Sequence, residues 1–409
     1  MIDTNPQKIK ELLERAVSKI YPSKDELEKV LLSGKKLRIY FGVDPTNPHM
    51  HLDHATSLFI LRRLRVLGHE VVFLIGDFTA QIGDPTGKMS TRIQLSEKDV
   101  LKNCKNYVKM ASKILDFRAR KNPAKVAFNR KWLKKMDLED LMSLMSKITI
   151  GKLLARDMFQ KRIEEKKEIY FHEFMYPLLQ GYDSVALDVD MEVGGSDQIF
   201  NMLVGRDLLK VLRKKEKYII AKEILQDPKS GKMLMSKSEG RFIALDDTPN
   251  DMYGKIMALP DEMIISCFMH WTEVSLIEIE NMTKGLQANT IKPMDAKAKL
   301  AREVVRFYHG GKLAAAAEDE FNKVVRKGDL PSEMRTIHMS DNGISISSTS
   351  SDLIFNLGLT DSKSEAKRLV EQGAFSVDGK VHTDWKTKPD LKPGSVIKAG
   401  KRKFIKIKE

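Results

Sequence analysis

The sequence predicts an α/β fold: a parallel sheet broken by a helical insertion, then an all-α region, then a small α+β domain. Three observations carry this. Two apolar runs, LRIYFGV (37–43) and EVVFLIGD (70–77), flank an amphipathic stretch at 54–67, the pattern of a βαβ unit. A lysine-rich stretch of helical spacing, about 80–180, then interrupts the alternation before apolar runs resume. Beyond residue 247 strand patterns are absent until a last block of short runs, separated by Asp378-Gly379 and Pro393-Gly394.

Taken in order, residues 5–34 read as one or two charged helices. Gly42, Asp44 and Pro45 end the first strand in a turn. Leu58, Leu61 and Leu64, with Ile60 and Leu67, mark one helical face, and Gly68 stops that helix. SVALDVDMEVGG (184–195) alternates and predicts a strand. DQIFNMLVGRDLLKVL (197–212) predicts a helix, and KYIIAKEIL (217–225) a further strand. The expected boundaries are 1–228 for the sheet and its insertion, 229–340 for a polar loop and helical region, 341–350 for a Ser-rich linker, and 351–409 for the last domain.

Composition narrows the class. In 409 residues there are two cysteines, Cys104 and Cys267, too few for a disulfide framework or a cysteine zinc site. No apolar run approaches the ~18 residues of a membrane span. The N-terminus lacks a secretory pattern, so the expected compartment is a reducing cytoplasm. Basic residues number 70 against 56 acidic, a net charge of +14. Twelve Lys/Arg and a single acid fall in 102–135, and thirteen basic against eight acidic residues in 351–409. Clustered charge of this kind suits a nucleic acid, although a generally basic surface fits too.

Two motifs carry chemistry. After the first strand, His51 and His54 stand three apart at a helix start, where N–H donors and the helix dipole suit a phosphate gaining charge. A metal pair or simple helix-entry polarity gives the same spacing. Downstream, Met233-Leu234-Met235-Ser236-Lys237-Ser238 is a polar loop whose lysine can follow a departing pyrophosphate. In isolation it is equally a solvated loop lysine.

In this order, flanking a split βαβ pattern, the two motifs resemble the signatures of class I aminoacyl-tRNA synthetases. IYFGVDPT (39–46), IGDFTAQIGDPTGK (75–88), FMYPLLQGYDS (174–184) and GGSDQIFN (194–201) resemble the bacterial tyrosyl-tRNA synthetases, over roughly residues 30–409. The resemblance implies a Rossmann-like catalytic domain, a helical anticodon-binding region and an S4-like RNA-binding domain. It implies activation of L-tyrosine by ATP, with Mg²⁺ accompanying the nucleotide and no dedicated metal site, then transfer to tRNA(Tyr). A homodimer is also implied.

By the same resemblance, Tyr40 and Asp183 meet the substrate phenol, a group with one donor and one acceptor. Tyr176, Gln180 and Asp183 are spaced to share one helical face. Tyr176, Gln180 and Asp84 surround the ammonium, and Gln198 holds the carboxylate. Gly42, Asp44, Thr46, Gly195 and Asp197 line the ATP floor, with His51, His54, Lys237 and Ser238 at the phosphates. Lys363, Lys367, Arg368 and Lys380 are candidate RNA contacts, each alone also an ordinary surface cation.

Two departures stand out. The family usually has glycine at Asp53, so bulk and negative charge are expected near ATP. The loop has Leu234 in place of its first lysine, with Lys232 nearby. Rival readings are a tryptophanyl-tRNA synthetase, a binding-only degenerate synthetase and a small-molecule nucleotidyltransferase. Asp183 with Tyr40 favours a phenol over an indole, and the retained charged set favours catalysis.

Overall fold

The structure, a computed structural model, describes residues 2–84, 96–229, 231, 233–235, 242–327, 329–332, 334–338, 348–360, 362–400 and 403–408. The chain divides into two units: 1–247 with 258–300, and 248–257 with 301–409.

The first unit is built on a six-stranded sheet of β1 (Val17–Tyr21), β2 (Arg38–Val43), β3 (Glu70–Ile75), β4 (Lys125–Phe128), β5 (Met191–Gly195) and β6 (Tyr218–Lys222). Its order is β1-β6-β5-β2-β3-β4. All neighbours run parallel except β1, which pairs antiparallel with β6. The helix Leu52–Val66 crosses from β2 to β3 and buries Leu58, Phe59, Leu61 and Leu64. From β2 the chain turns one way to β3 and β4, while β5 and β6 lie on the other side. The order therefore reverses between β2 and β5, and ligands of open α/β sheets bind in the crevice beyond the strand ends at such a point.

Three expectations need correction. Edge strands β1 and β4 are absent from the predicted set. Both are short and half-exposed, with Lys19 and Lys125 turned to solvent, so they carry no apolar run. The strand expected over 184–195 is only Met191–Gly195, because the helix Phe171–Ala186 continues through Ser184 and Val185, both buried on its face. Asp188, at φ +47°, makes the turn between them.

Arg15, fully buried, joins the N-terminal helix Pro6–Glu14 to the helix Ile264–Trp271. Its guanidinium donates to the carbonyls of Thr272 at 2.7 Å, Val274 at 2.8 Å and Met269 at 3.0 Å. These are orphan acceptors at a helix C-terminus, where a cation is favoured.

In the second unit, Arg302 pairs with Glu318 through two 2.7 Å bonds beside the helix Gly311–Phe321. A five-stranded sheet follows: β7 (Arg335–His338), β8 (Phe375–Val377), β9 (Lys380–His382), β10 (Val396–Ala399) and β11 (Lys403–Lys408), ordered β7-β11-β10-β8-β9. Helices Ser350–Asn356 and Lys363–Glu371 contribute Leu353, Ile354, Ala366 and Val370 to a core with Phe375, Ile397 and Ile405. The region 247–340 is thus not wholly helical. β7 pairs parallel with β11, and Ile337 is buried in the same core. Nor is the expected linker free to its end at 350. Thr349 caps the next helix, and buried Ser350 donates its N–H to Thr387 O at 2.7 Å. Most of that segment, 339–347, lies outside the described residues. Among the described residues no helix is long and apolar enough to cross a membrane.

Candidate active site

The crevice beyond β2 and β5 holds a cavity of about 450 Å³. Its wall begins where β2 ends. Asn103 holds the following turn by donating to Pro45 O at 2.9 Å, and His51 becomes the N-cap of the Leu52–Val66 helix. The His51 backbone N–H donates to His54 Nδ1 at 3.2 Å, and the two rings lie 3.8 Å apart. Because His54 Nδ1 accepts, its proton resides on Nε2. Burial pushes the His51 imidazole down to about 4 and His54 well below its ordinary value. Both rings are therefore neutral donors near pH 7, not cations.

The loop signature is tied down on both sides. Leu52 N–H donates to Ile243 O at 3.1 Å, and Leu245 N–H to Met50 O at 2.9 Å, so 243–245 pair with the histidine turn. Upstream, Leu234 N–H donates to Leu225 O at 2.9 Å and its side chain is fully buried. Leu234 is thus an apolar anchor. Lys232, Ser236, Lys237 and Ser238 lie outside the described residues.

The opposite half is a hydrogen-bonded polar cluster. The helix Phe171–Ala186 turns Tyr176, Gln180 and Asp183 to the cavity. Asp183 accepts from Trp132 Nε1 at 2.8 Å and from Asn129 Nδ2 at 3.3 Å. Burial still raises its carboxyl well above the usual range, against those two donors. Tyr40 on β2 is in register with Glu192 on β5, which puts both on the cavity side. Its hydroxyl lies 3.0 Å from Ser184 Oγ. Behind Ser184, fully buried Lys217 donates to Ser184 Oγ at 2.9 Å and pairs with Glu192.

Asp44 joins the halves, accepting from Tyr176 Oη at 2.9 Å and Thr79 Oγ1 at 2.7 Å. Gln198 donates to Asp84 at 2.7 Å and to Asp197 at 3.3 Å, while Asn201 donates to both Gln180 and Gln198. A Cβ at Gly195 would collide with the Asp197 carboxylate, so only glycine allows that approach. Burial raises the Asp197 carboxyl.

All the described candidates for the two small substrates line this one cavity: Tyr40, Gly42, Asp44, Thr46, His51, His54, Asp84, Tyr176, Gln180, Asp183, Gly195, Asp197 and Gln198. Sequence reasoning missed Thr79, Asn129, Glu192 and Lys222 in its wall, and Trp132, Ser184 and Lys217 behind it. A lysine opening the apolar run KYIIAKEIL and another within it were the available signal. The expected excess negative charge at Asp53 does not arise, because Lys222 Nζ meets its carboxylate at 2.6 Å. Burial alone would raise Asp53, but Lys222 outweighs it and holds the carboxyl down. Among the described residues no group of three or more His, Cys, Asp or Glu side chains is placed to hold a metal ion. In the second unit, Lys363 pairs with Asp352 at 2.9 Å and Lys367 sits 4.0 Å over Trp385, while Arg368 and Lys380 are exposed.

Residues 32–326 match the sequence family described as tRNA synthetases class I (W and Y). A tyrosine–tRNA ligase of Moorella thermoacetica is 41% identical, covering 97% of this chain and 94% of its own. That of Thermotoga maritima is 40% identical, covering 98% of both. Among solved structures, the C-terminally truncated mitochondrial tyrosyl-tRNA synthetase of Aspergillus nidulans superposes with a TM-score of 0.66 at 26% identity, over 77% of this chain and 93% of that one. The Archaeoglobus fulgidus tyrosyl-tRNA synthetase complexed with L-tyrosine shares the fold, with a TM-score of 0.59 at 18% identity, over 77% and 100%. The chain belongs to the class I tRNA synthetases of the W and Y family.

Proposed function

We propose that the protein is a tyrosine–tRNA ligase. It activates L-tyrosine with ATP to tyrosyl-adenylate and pyrophosphate, then transfers the tyrosyl group to the 3′ end of tRNA(Tyr), releasing AMP. The observation that carries the amino-acid choice is the buried pair of Asp183 and Tyr40 in one wall of the cavity. A phenol satisfies such a carboxylate and hydroxyl together. A phenylalanine ring would offer neither a donor to the remaining lone pairs of the carboxyl nor an acceptor to the Tyr40 hydroxyl, and an indole offers a donor but no matching acceptor.

In the first step the tyrosine carboxylate attacks the α-phosphorus, and the bond to the bridging oxygen of pyrophosphate breaks. Tyr176, Gln180 and Asp84 orient the ammonium and Gln198 the carboxylate, so the two reactants meet already aligned. The neutral imidazoles of His51 and His54 donate to phosphate oxygens at the helix N-terminus, and Lys237 follows the leaving pyrophosphate. ATP enters as its Mg²⁺ complex, the ion held by phosphate oxygens and water. In the second step a ribose hydroxyl of the tRNA attacks the tyrosyl carbonyl and AMP leaves. Gly42, Thr46, Gly195 and Asp197 hold the nucleotide through both steps.

The first unit is then a Rossmann-like catalytic domain. The helices after residue 247 serve the anticodon arm, and the small sheet of the second unit is an S4-like RNA-binding fold. Its phosphate contacts are Lys363, Lys367, Arg368 and Lys380, and the basic stretch 102–135 meets the acceptor arm. Leu138 at 73% exposed and Phe171 at 65% give the insertion an apolar surface suited to a second copy, hence a homodimer. Tyrosine-dependent exchange of labelled pyrophosphate into ATP, without tRNA, is the test. Exchange at background from folded protein with Mg²⁺ would leave only RNA binding.

A further inference from the structure

Beside the paired histidines the cavity wall changes character. Ile224, Leu225, Met233 and Met235 supply apolar surface, and one ion pair, Asp53 with Lys222, interrupts it. The pair is held from two elements. Asp53 lies in the first turn of the Leu52–Val66 helix, and Lys222 ends β6 in register with Gly195 of β5. Their side chains are 21% and 5% exposed, so removing either partner leaves the other charge largely out of water.

The bonding leaves both groups something to offer. Asp53 Oδ1 takes Lys222 Nζ at 2.6 Å, and the ammonium also reaches Glu223 O at 3.4 Å. Among the described residues this leaves Asp53 Oδ2 as an acceptor and one Lys222 N–H as a donor, side by side on the cavity wall. Apolar walls interrupted by a few placed polar groups are what a flat heteroaromatic ring needs. The edge that matches has one donor beside one acceptor.

We propose that Asp53 and Lys222 read the edge of the ATP base, Asp53 accepting from the adenine N6 amine and Lys222 donating to ring N1. This rests on ATP being the nucleotide of the proposed ligase. The pair is then a specificity-determining element of adenylate formation. A base that carries an oxygen at position 6 reverses donor and acceptor along that edge and sets an acceptor against the carboxylate.

The test compares ATP, inosine triphosphate and purine riboside triphosphate, which has hydrogen in place of the amine. Each is used in tyrosine-dependent pyrophosphate exchange and in competition binding without tyrosine. The Asp53→Leu/Lys222→Met double variant removes both charges together with the acceptor and the donor, at similar volume, so no lone buried ion remains. Calorimetric tyrosine binding reports that the variant is folded. In the unaltered protein KM for purine riboside triphosphate should exceed that for ATP at least about tenfold, with kcat changing less. The double variant should narrow the ratio to within about threefold while its tyrosine affinity stays unchanged. An unaltered protein that uses both nucleotides equally overturns the proposal, as does a folded double variant that keeps the original ratio. Should the double variant lose tyrosine binding, the ratio in the unaltered protein decides alone. Absence of exchange with every nucleotide would instead count against the ligase, and the competition arm would still measure base preference.

Discussion

The two halves of the cavity solve opposite problems. Around Asp183 and Tyr40 the polar atoms are held by further side chains: half-buried Trp132 and buried Asn129 on the carboxylate, Ser184 on the hydroxyl, Lys217 and Glu192 behind them. Around His51 and His54 the holding is done by backbone, through the helix terminus and the 243–245 pairing. On the proposed mechanism the first half is preorganised to select a ground-state shape, and the second offers donors to charge that develops only during reaction. Changes to the loop should therefore act on rate, and changes to the polar cluster on selection.

The largest expected effect is on rate. Lys237→Ala should slow single-turnover adenylate formation by about 100- to 1,000-fold, the range for losing one donor to a developing charge. Tyrosine affinity should hardly move. Lys232→Ala and the double variant show whether Lys232 shares the task. A Lys237→Ala enzyme of normal rate would place the pyrophosphate cation elsewhere and erase the contrast between the halves.

Next comes selection. Asp183→Ala should weaken tyrosine by roughly 2–3 kcal/mol, about 30- to 150-fold, as one hydrogen bond to a charged or strongly polar group is lost. The penalty against phenylalanine should collapse by a similar factor, since the carboxyl that rejects it is gone. Unchanged discrimination, measured as a ratio of exchange rates with the two amino acids, would remove Asp183 from the phenol site.

A smaller effect tests how far the buried layer matters. Ser184→Ala removes one bond from Tyr40 and one from Lys217, but leaves Lys217 with Glu192. About 1 kcal/mol is at stake, a roughly fivefold rise in the KM for tyrosine. The KM for ATP should stay constant. Equal changes in both would mean that the two halves are not independent.

The same division explains what the sequence made legible. The histidine turn and the Tyr176, Gln180 and Asp183 face are local patterns, readable because helical spacing alone brings them together. Trp132, Asn129 and Lys217 are not. Trp132 and Asn129 reach the cluster from the basic stretch 102–135 beside β4, Lys217 reaches it from the start of β6, and only the strand order β6-β5-β2-β3-β4 puts them together. Asp53 misled for the same reason. Its partner Lys222 lies 169 residues away on β6. The sequence places the start of the last domain after β7, because this strand of four residues has too little apolar content to signal itself, although its Ile337 is core.

The smallest expected effect concerns pH, and it bears on the histidine half alone. An imidazole of ordinary pKa, about 6.5, would be only about 3% neutral at pH 5. If such a group had to be neutral, the first step would fall about thirtyfold between pH 8 and pH 5. Burial holds His51 down to about 4 and His54 well below its ordinary value, so both keep donating as neutral rings. The rate of adenylate formation should then lose only about a tenth by pH 5 and fall steeply only as the pH nears 4. Stability has its own dependence. Between about 6.5 and 4 the unfolded chain binds protons that the folded imidazoles refuse. The contribution of the pair is thus complete above 6.5 and is lost as the pH falls toward 4. Single-turnover rates and chemical denaturation across pH 4–8 read the two curves separately. A rate that halves near 6.5 while the protein stays folded would mean that the histidines act with ordinary basicity. The phosphate half would then draw on positive charge, in place of the neutral, backbone-fixed donors that its buried geometry provides.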